Sequence, residues 1–238
     1  MKKLKVYNLF IFLLGLVCLS LGVVLVVKSN LGISVAMSVP YIFSLYFTKI
    51  SFGQWSYIIQ GITLIFLFII VKRVTVKYLL SFVVAFLFGI AIDLFGMLLT
   101  SFAVYTFYGK LGVFILGSIV ISIGVAAFIK SNYPIQPFDT FVKEVAIAKN
   151  IKYAKFKTGF DLTFFMISLT TSIIFFKKIK GLHVGTLVSA IILGSMIGAC
   201  LDMMNKYIDG KTILPEEKTR EILDFDFLNL KKAKEFEQ

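Results

Sequence analysis

Residues 12–30 read FLLGLVCLSLGVVLVVKSN, and residues 114–132 read FILGSIVISIGVAAFIKSN. Phe12, Leu14, Gly15, Ser20, Gly22, Val23, Lys28, Ser29 and Asn30 recur as Phe114, Leu116, Gly117, Ser122, Gly124, Val125, Lys130, Ser131 and Asn132, at a constant offset of 102 residues. Two apolar helices converge readily on leucine and valine. They do not converge on the same Lys-Ser-Asn ending at the same distance from two matched glycines. The chain is therefore read as an internal duplication, which inside a membrane protein is the usual architecture of transporters and channels.

Composition supplies the membrane. Hydrophobic residues make up 58% of the 238 residues and the mean hydropathy is +0.92, far from an ordinary soluble domain. Apolar runs near 7–27, 54–71, 80–100, 111–129, 159–176 and 184–204 are each long enough to cross a bilayer. The first follows a basic start, as a signal peptide would, but its residues recur in the second repeat, so it is expected to belong to the fold. Two further apolar segments, 31–47 with Pro40 and 135–148 with Pro137, Asp139, Lys143 and Glu144, align with each other. The second is too polar to face lipid. Both are expected to be broken or re-entrant, a conformation tolerated only where protein or a water-filled cavity covers the backbone.

The fold expected is an all-α polytopic membrane protein. Its membrane domain covers 1–207, in two repeats at about 7–103 and 111–207, each with three spans and one broken segment. An odd number of spans per repeat predicts inverted halves. The tail, 208–238, is expected to be cytoplasmic, with a short helix starting at Pro215 that has Glu216 and Glu217 in its first turn.

Charge gives the orientation. Residues 1–207 carry 19 basic and 5 acidic side chains, and residues 208–238 carry 6 basic and 8 acidic. With both termini in the cytoplasm, Lys2, Lys3, Lys5, Lys72, Arg73, Lys77 and the lysines of 143–157 obey the positive-inside rule, while Lys177, Lys178 and Lys180 violate it. The same rule explains the basic pI without nucleic acid. Cys18 and Cys200 lie in apolar spans and imply no disulfide. A single histidine and two cysteines exclude a thiolate or imidazole metal cluster. No cofactor and no catalytic constellation is expected, hence no enzyme.

Two patterns single out residues. Ser81, Ala85, Gly89 and Asp93 form a ladder of four-residue spacing, matched at offset 105 by Thr186, Ala190, Gly194 and Gly198. Small residues at this spacing let helix backbones approach closely, so the third and sixth spans are expected to cross at the centre of the fold. The repeats also disagree in their carboxylates: Asp93 stands against Gly198, Asp161 against Gln60, and Asp139 against Met37. Intramembrane acids are costly and mark function by default. Asp93, Asp139 and Asp161 are the candidate ion or solute ligands, with Gln60, Ser131 and Asn132 as polar neighbours. Lys28, Ser29, Asn30 and Lys130 form candidate gates where helices break; the plainer reading is a lysine and an asparagine capping a helix end. Trp55 reads as an interfacial anchor.

Further stretches carry a resemblance. They are Leu31-Gly32-Ile33-Ser34 with Ser38-Val39-Pro40-Tyr41; Ser51-Phe52-Gly53-Gln54-Trp55; Phe88-Gly89-Ile90-Ala91-Ile92-Asp93; Pro137-Phe138-Asp139; Lys157-Thr158-Gly159-Phe160-Asp161; and Gly185-Thr186-Leu187 with Gly194. Together they resemble the YczE/YyaS/YitT family of bacterial integral membrane proteins. The resemblance implies a bacterial inner (plasma) membrane and supplies no activity. The function expected from the residues is a permease for a small solute or ion, with its site at the repeat interface. The alternative is a membrane accessory protein that docks a partner through its tail. The partners expected are the lipid bilayer, an unidentified small solute or ion, and a second copy of the chain.

Overall fold

The computed structural model describes residues 2–72, 75–131, 133–151 and 153–208. The tail helix expected from Pro215 lies outside them. Eight α-helices and no strands are found among the described residues: α1 (Lys2–Lys28), α2 (Val35–Tyr46), α3 (Phe52–Val71), α4 (Val76–Leu98), α5 (Phe107–Ser131), α6 (Pro137–Ala148), α7 (Tyr153–Phe176) and α8 (Val184–Ile208). Six are long and apolar enough to cross a membrane, and they fall where the six apolar runs predict. The protein is a multi-pass helical membrane protein. The two segments between spans, α2 and α6, are 12-residue helices. At 1.5 Å per residue each is about 18 Å long, well short of the hydrocarbon core.

The centre is the crossing of α1 and α5, the two most deeply buried spans. It is built on the four glycines of the repeated stretch. A Cβ on Gly15 would sit 3.0 Å from the Gly124 carbonyl oxygen, and one on Gly124 2.9 Å from that of Gly15. A Cβ on Gly22 would sit 2.8 Å from the Gly117 oxygen, and one on Gly117 3.0 Å from that of Gly22. Phe12 meets Phe128 edge-on at 5.1 Å. Residue numbers rise along α1 as they fall along α5, so the two helices run antiparallel. Backbone-on-backbone contact of this kind supplies van der Waals attraction where lipid offers no hydrophobic drive. Polar side chains on the seam serve their own helices: Ser20, Ser118 and Ser122 each donate to the carbonyl four residues back.

The other helices are arranged in corresponding ways about this pair. α4 packs on α1 as α8 packs on α5; α3 packs on α6 as α7 packs on α2; α2 also packs on α3 as α6 packs on α7. α3 also packs on α4. Gly53 and Gly89 meet there backbone to backbone, so neither tolerates a Cβ.

The expected central crossing of the third and sixth spans is corrected here. Gly89 faces α3, and a Cβ on Gly194 or Gly198 would meet nothing within 4 Å. The two ladders share a sequence pattern, but the glycine of the first lies against a helix backbone while those of the second do not. The outcome should be visible in expression. Gly22→Leu drives a side chain into the α5 backbone, costs about 1–3 kcal/mol or more, and should abolish monodisperse protein in detergent. Gly194→Leu should leave yield and melting temperature near wild type. The reverse order would contradict the packing described.

Candidate functional site

The Lys-Ser-Asn endings close α1 and α5. Asn30 adopts φ 56°, the left-handed cap that its residue type favours. Ser29 is fully buried, donates to the Val26 carbonyl at 2.6 Å and accepts from Leu31 N at 3.2 Å. Ser131 does the same with Phe128 at 2.8 Å and Tyr133 N at 3.3 Å. Both serines therefore fasten the helix break to itself, and among the described residues Ser131 makes no hydrogen bond to an aspartate. Asn132 lies outside the described residues. Lys130 donates to Asn205 Oδ1 on α8 at 2.6 Å.

Asp93 lies near the end of α4 and reaches the start of α3. Its Oδ1 accepts from Gly53 N at 2.8 Å, and its Oδ2 accepts a short bond from the Ser51 hydroxyl. Ser51 and Gln54 also form a reciprocal capping box: Gln54 N donates to Ser51 Oγ at 3.1 Å, and Ser51 N to Gln54 Oε1 at 3.0 Å. A carboxylate at the positive end of a helix is electrostatically favoured. Asp93 is thus a latch between α4 and α3. It also lines an open pocket of about 330 Å³ with Val24, Val27, Lys28, Tyr41, Ile92 and Thr100.

Asp139 and Asp161 are brought together elsewhere. Lys157 Nζ lies 3.1 Å from Asp161 Oδ1, one turn away on α7, and 3.8 Å from Asp139 Oδ1 on α6. Next to Asp139, Thr140 meets Ser81 at 3.1 Å. Twelve residues separate Ser81 from Asp93 on α4, a rise of about 18 Å. The three candidate aspartates therefore form two places at different depths, not one. Among the described residues no group of three His, Cys, Asp or Glu side chains could hold a metal ion.

Gln60 is fully buried in α3. Its Nε2 donates to Ser56 Oγ at 3.1 Å, and Ser56 Oγ in turn contacts Met37 Sδ at 3.7 Å. Gln60 Oε1 is buried without a hydrogen-bond partner, a costly arrangement. Met37, Ser56 and Gln60 align with Asp139, Lys157 and Asp161 at offsets of 101–102 residues. Each trio is joined through its middle member. The same linkage between a short helix and the following span is neutral in the first half and ionic in the second.

Sequence alone gave Lys157, Ser56 and Ser51 no part in a site. Lys157 and Asp161 are four residues apart, a helical ion-pair spacing, and Ser51-Phe52-Gly53-Gln54 has the spacing of a capping box. Both signals were present. The link from Ser56 to Met37 had no such signal.

Over residues 6–202 the chain matches the model of a family of unknown function, DUF6198. It belongs to that family. No curated protein and no solved structure matches it significantly.

Substitutions at both places test these assignments. Asp93→Ala removes two acceptors at a helix start and should lower stability by roughly 1–3 kcal/mol, read as a fall in melting temperature, with Asp93→Asn losing less. Lys157→Ser leaves two carboxylates facing each other and should destabilise. Transplanting the neutral trio whole, as Asp139→Met, Lys157→Ser and Asp161→Gln, should recover most of that loss. A triple variant no more stable than Lys157→Ser alone would show that the two trios are not equivalent.

Proposed function

We propose that the protein is a permease for a small solute or ion, built from two inverted repeats. The antiparallel glycine seam between α1 and α5 carries the proposal. Gly15 and Gly22 in one half are the counterparts of Gly117 and Gly124 in the other, and each approaches the non-equivalent partner. That is the contact expected of two like halves related by a two-fold axis lying in the membrane plane. Inverted repeats of this kind rock against a central pair and expose a site to each side in turn. The short helices α2 and α6 supply the broken elements that such a site uses.

The pocket lined by Lys28 and Asp93 is the entrance from one face, and the Asp139–Lys157–Asp161 trio is the candidate ion site toward the other. With the six spans crossing in alternation, Lys72, Lys77 and the lysines of the α6–α7 region share a face with the start of α1 and the end of α8. The positive-inside rule then puts both termini in the cytoplasm. The resemblance to the YczE/YyaS/YitT proteins suits this setting in a bacterial plasma membrane.

The permease reading can be tested without a known substrate. Gln60 is fully buried and eight residues into α3, about 12 Å along it. In a chain with Cys18 and Cys200 replaced by serine, Gln60→Cys should react with a membrane-impermeant maleimide from at least one side of sealed vesicles, because a moving half uncovers it. Complete protection from both sides, while Lys28→Cys reacts, would contradict transport.

A further inference from the structure

We propose that the pocket between α1 and α4 binds an amphipathic anion, an apolar chain ending in a carboxylate or phosphate, whose headgroup is held by Lys28 Nζ and the Tyr41 hydroxyl. The inference rests on the pocket assigned to the permease above and deepens it by naming the ligand class.

The two halves differ in what meets the lysine at the end of the helix. Lys28 and Lys130 are equivalent lysines at the ends of α1 and α5. Lys130 is met by Asn205 of α8. At offset 105, the α4 counterpart of Asn205 is Thr100. Thr100 turns its hydroxyl back to its own helix, donating to Met97 O at 2.7 Å and Gly96 O at 3.1 Å. Lys28 therefore has no hydrogen-bond or ionic partner among the described residues. Tyr41 lines the same pocket, and its hydroxyl has no such partner among the described residues either.

Both unmatched groups donate, and one is cationic, so their common complement is an anionic oxygen. Asp93 does not cancel them. Its two carboxylate oxygens each accept a hydrogen bond, from Ser51 and Gly53, and its charge is offset by the start of α3. The remaining wall is apolar, with Val24, Val27, Phe52, Ile92 and Met97. A volume of about 330 Å³ is at the low end of small-molecule sites, enough for one chain and a compact head.

The test is ligand-dependent melting of purified protein in phosphatidylcholine nanodiscs. Decanoate and decyl phosphate should each raise the melting temperature by several degrees. Acetate, inorganic phosphate and decanol at the same concentration should not. Lys28→Gln should abolish the shift, Tyr41→Phe should reduce it with packing intact, and Lys130→Gln should leave it unchanged. If nanodiscs containing phosphatidylglycerol show the shift unaided and decanoate adds nothing, the bilayer supplies the ligand; if decanoate still adds stability, a free amphiphile does. Equal stabilisation by decanol, a shift with inorganic phosphate alone, or a full shift in both the Lys28→Gln and Tyr41→Phe proteins would overturn the proposal. These melts read binding, whereas labelling at residue 60 reads movement, so either proposal can fail without the other.

Discussion

Everything in this protein hangs on two helix backbones touching. In lipid there is no hydrophobic gain from bringing α1 against α5, so the pair must be held by close van der Waals contact. That requires residues without side chains at four places: Gly15 and Gly22 on one helix, Gly117 and Gly124 on the other. The same approach fixes the crossing, its antiparallel sense and, through α1·α4 and α5·α8 packing, the placement of the outer helices. A larger residue at any of the four displaces a backbone, not just a neighbouring side chain.

Much of this was legible in the chain itself. The glycines and the Lys-Ser-Asn endings are visible as a repeat, and hydropathy located all six spans because a bilayer imposes length on any helix that crosses it. Short, proline-bearing segments between spans predicted elements that do not cross. The partner of each glycine ladder was not legible. A four-residue spacing says that a helix can be approached closely and says nothing about what approaches it. Hence Gly89 was expected against the sixth span and is found against Gly53, and a Cβ on Gly194 would meet nothing within 4 Å. The three aspartates stand out in the sequence as departures from the repeated pattern, but spacing along the chain could not show that Asp93 lies about 18 Å along α4 from Ser81, the level at which α6 carries Asp139 beside Lys157 and Asp161.

Function is better located where like positions have diverged. The trio Met37–Ser56–Gln60 and the trio Asp139–Lys157–Asp161 hold the same elements together with different chemistry. Lys130 is answered by Asn205, while Lys28 faces a pocket. Asp93 latches α3 to α4, and its counterpart Gly198 latches nothing.

The orientation of α1 against α5 is the claim on which the rest depends, and one cross-linking measurement tests it directly. In membranes holding a chain with Cys18 and Cys200 replaced by serine, the pair Phe12→Cys with Phe128→Cys should oxidise to a disulfide, seen as a two-hydrogen mass loss in the intact chain. Phe12→Cys with Phe114→Cys, the pair that parallel halves would juxtapose, should not. Cross-linking of 12 to 114 in place of 12 to 128 would contradict the antiparallel seam and the inverted architecture proposed from it.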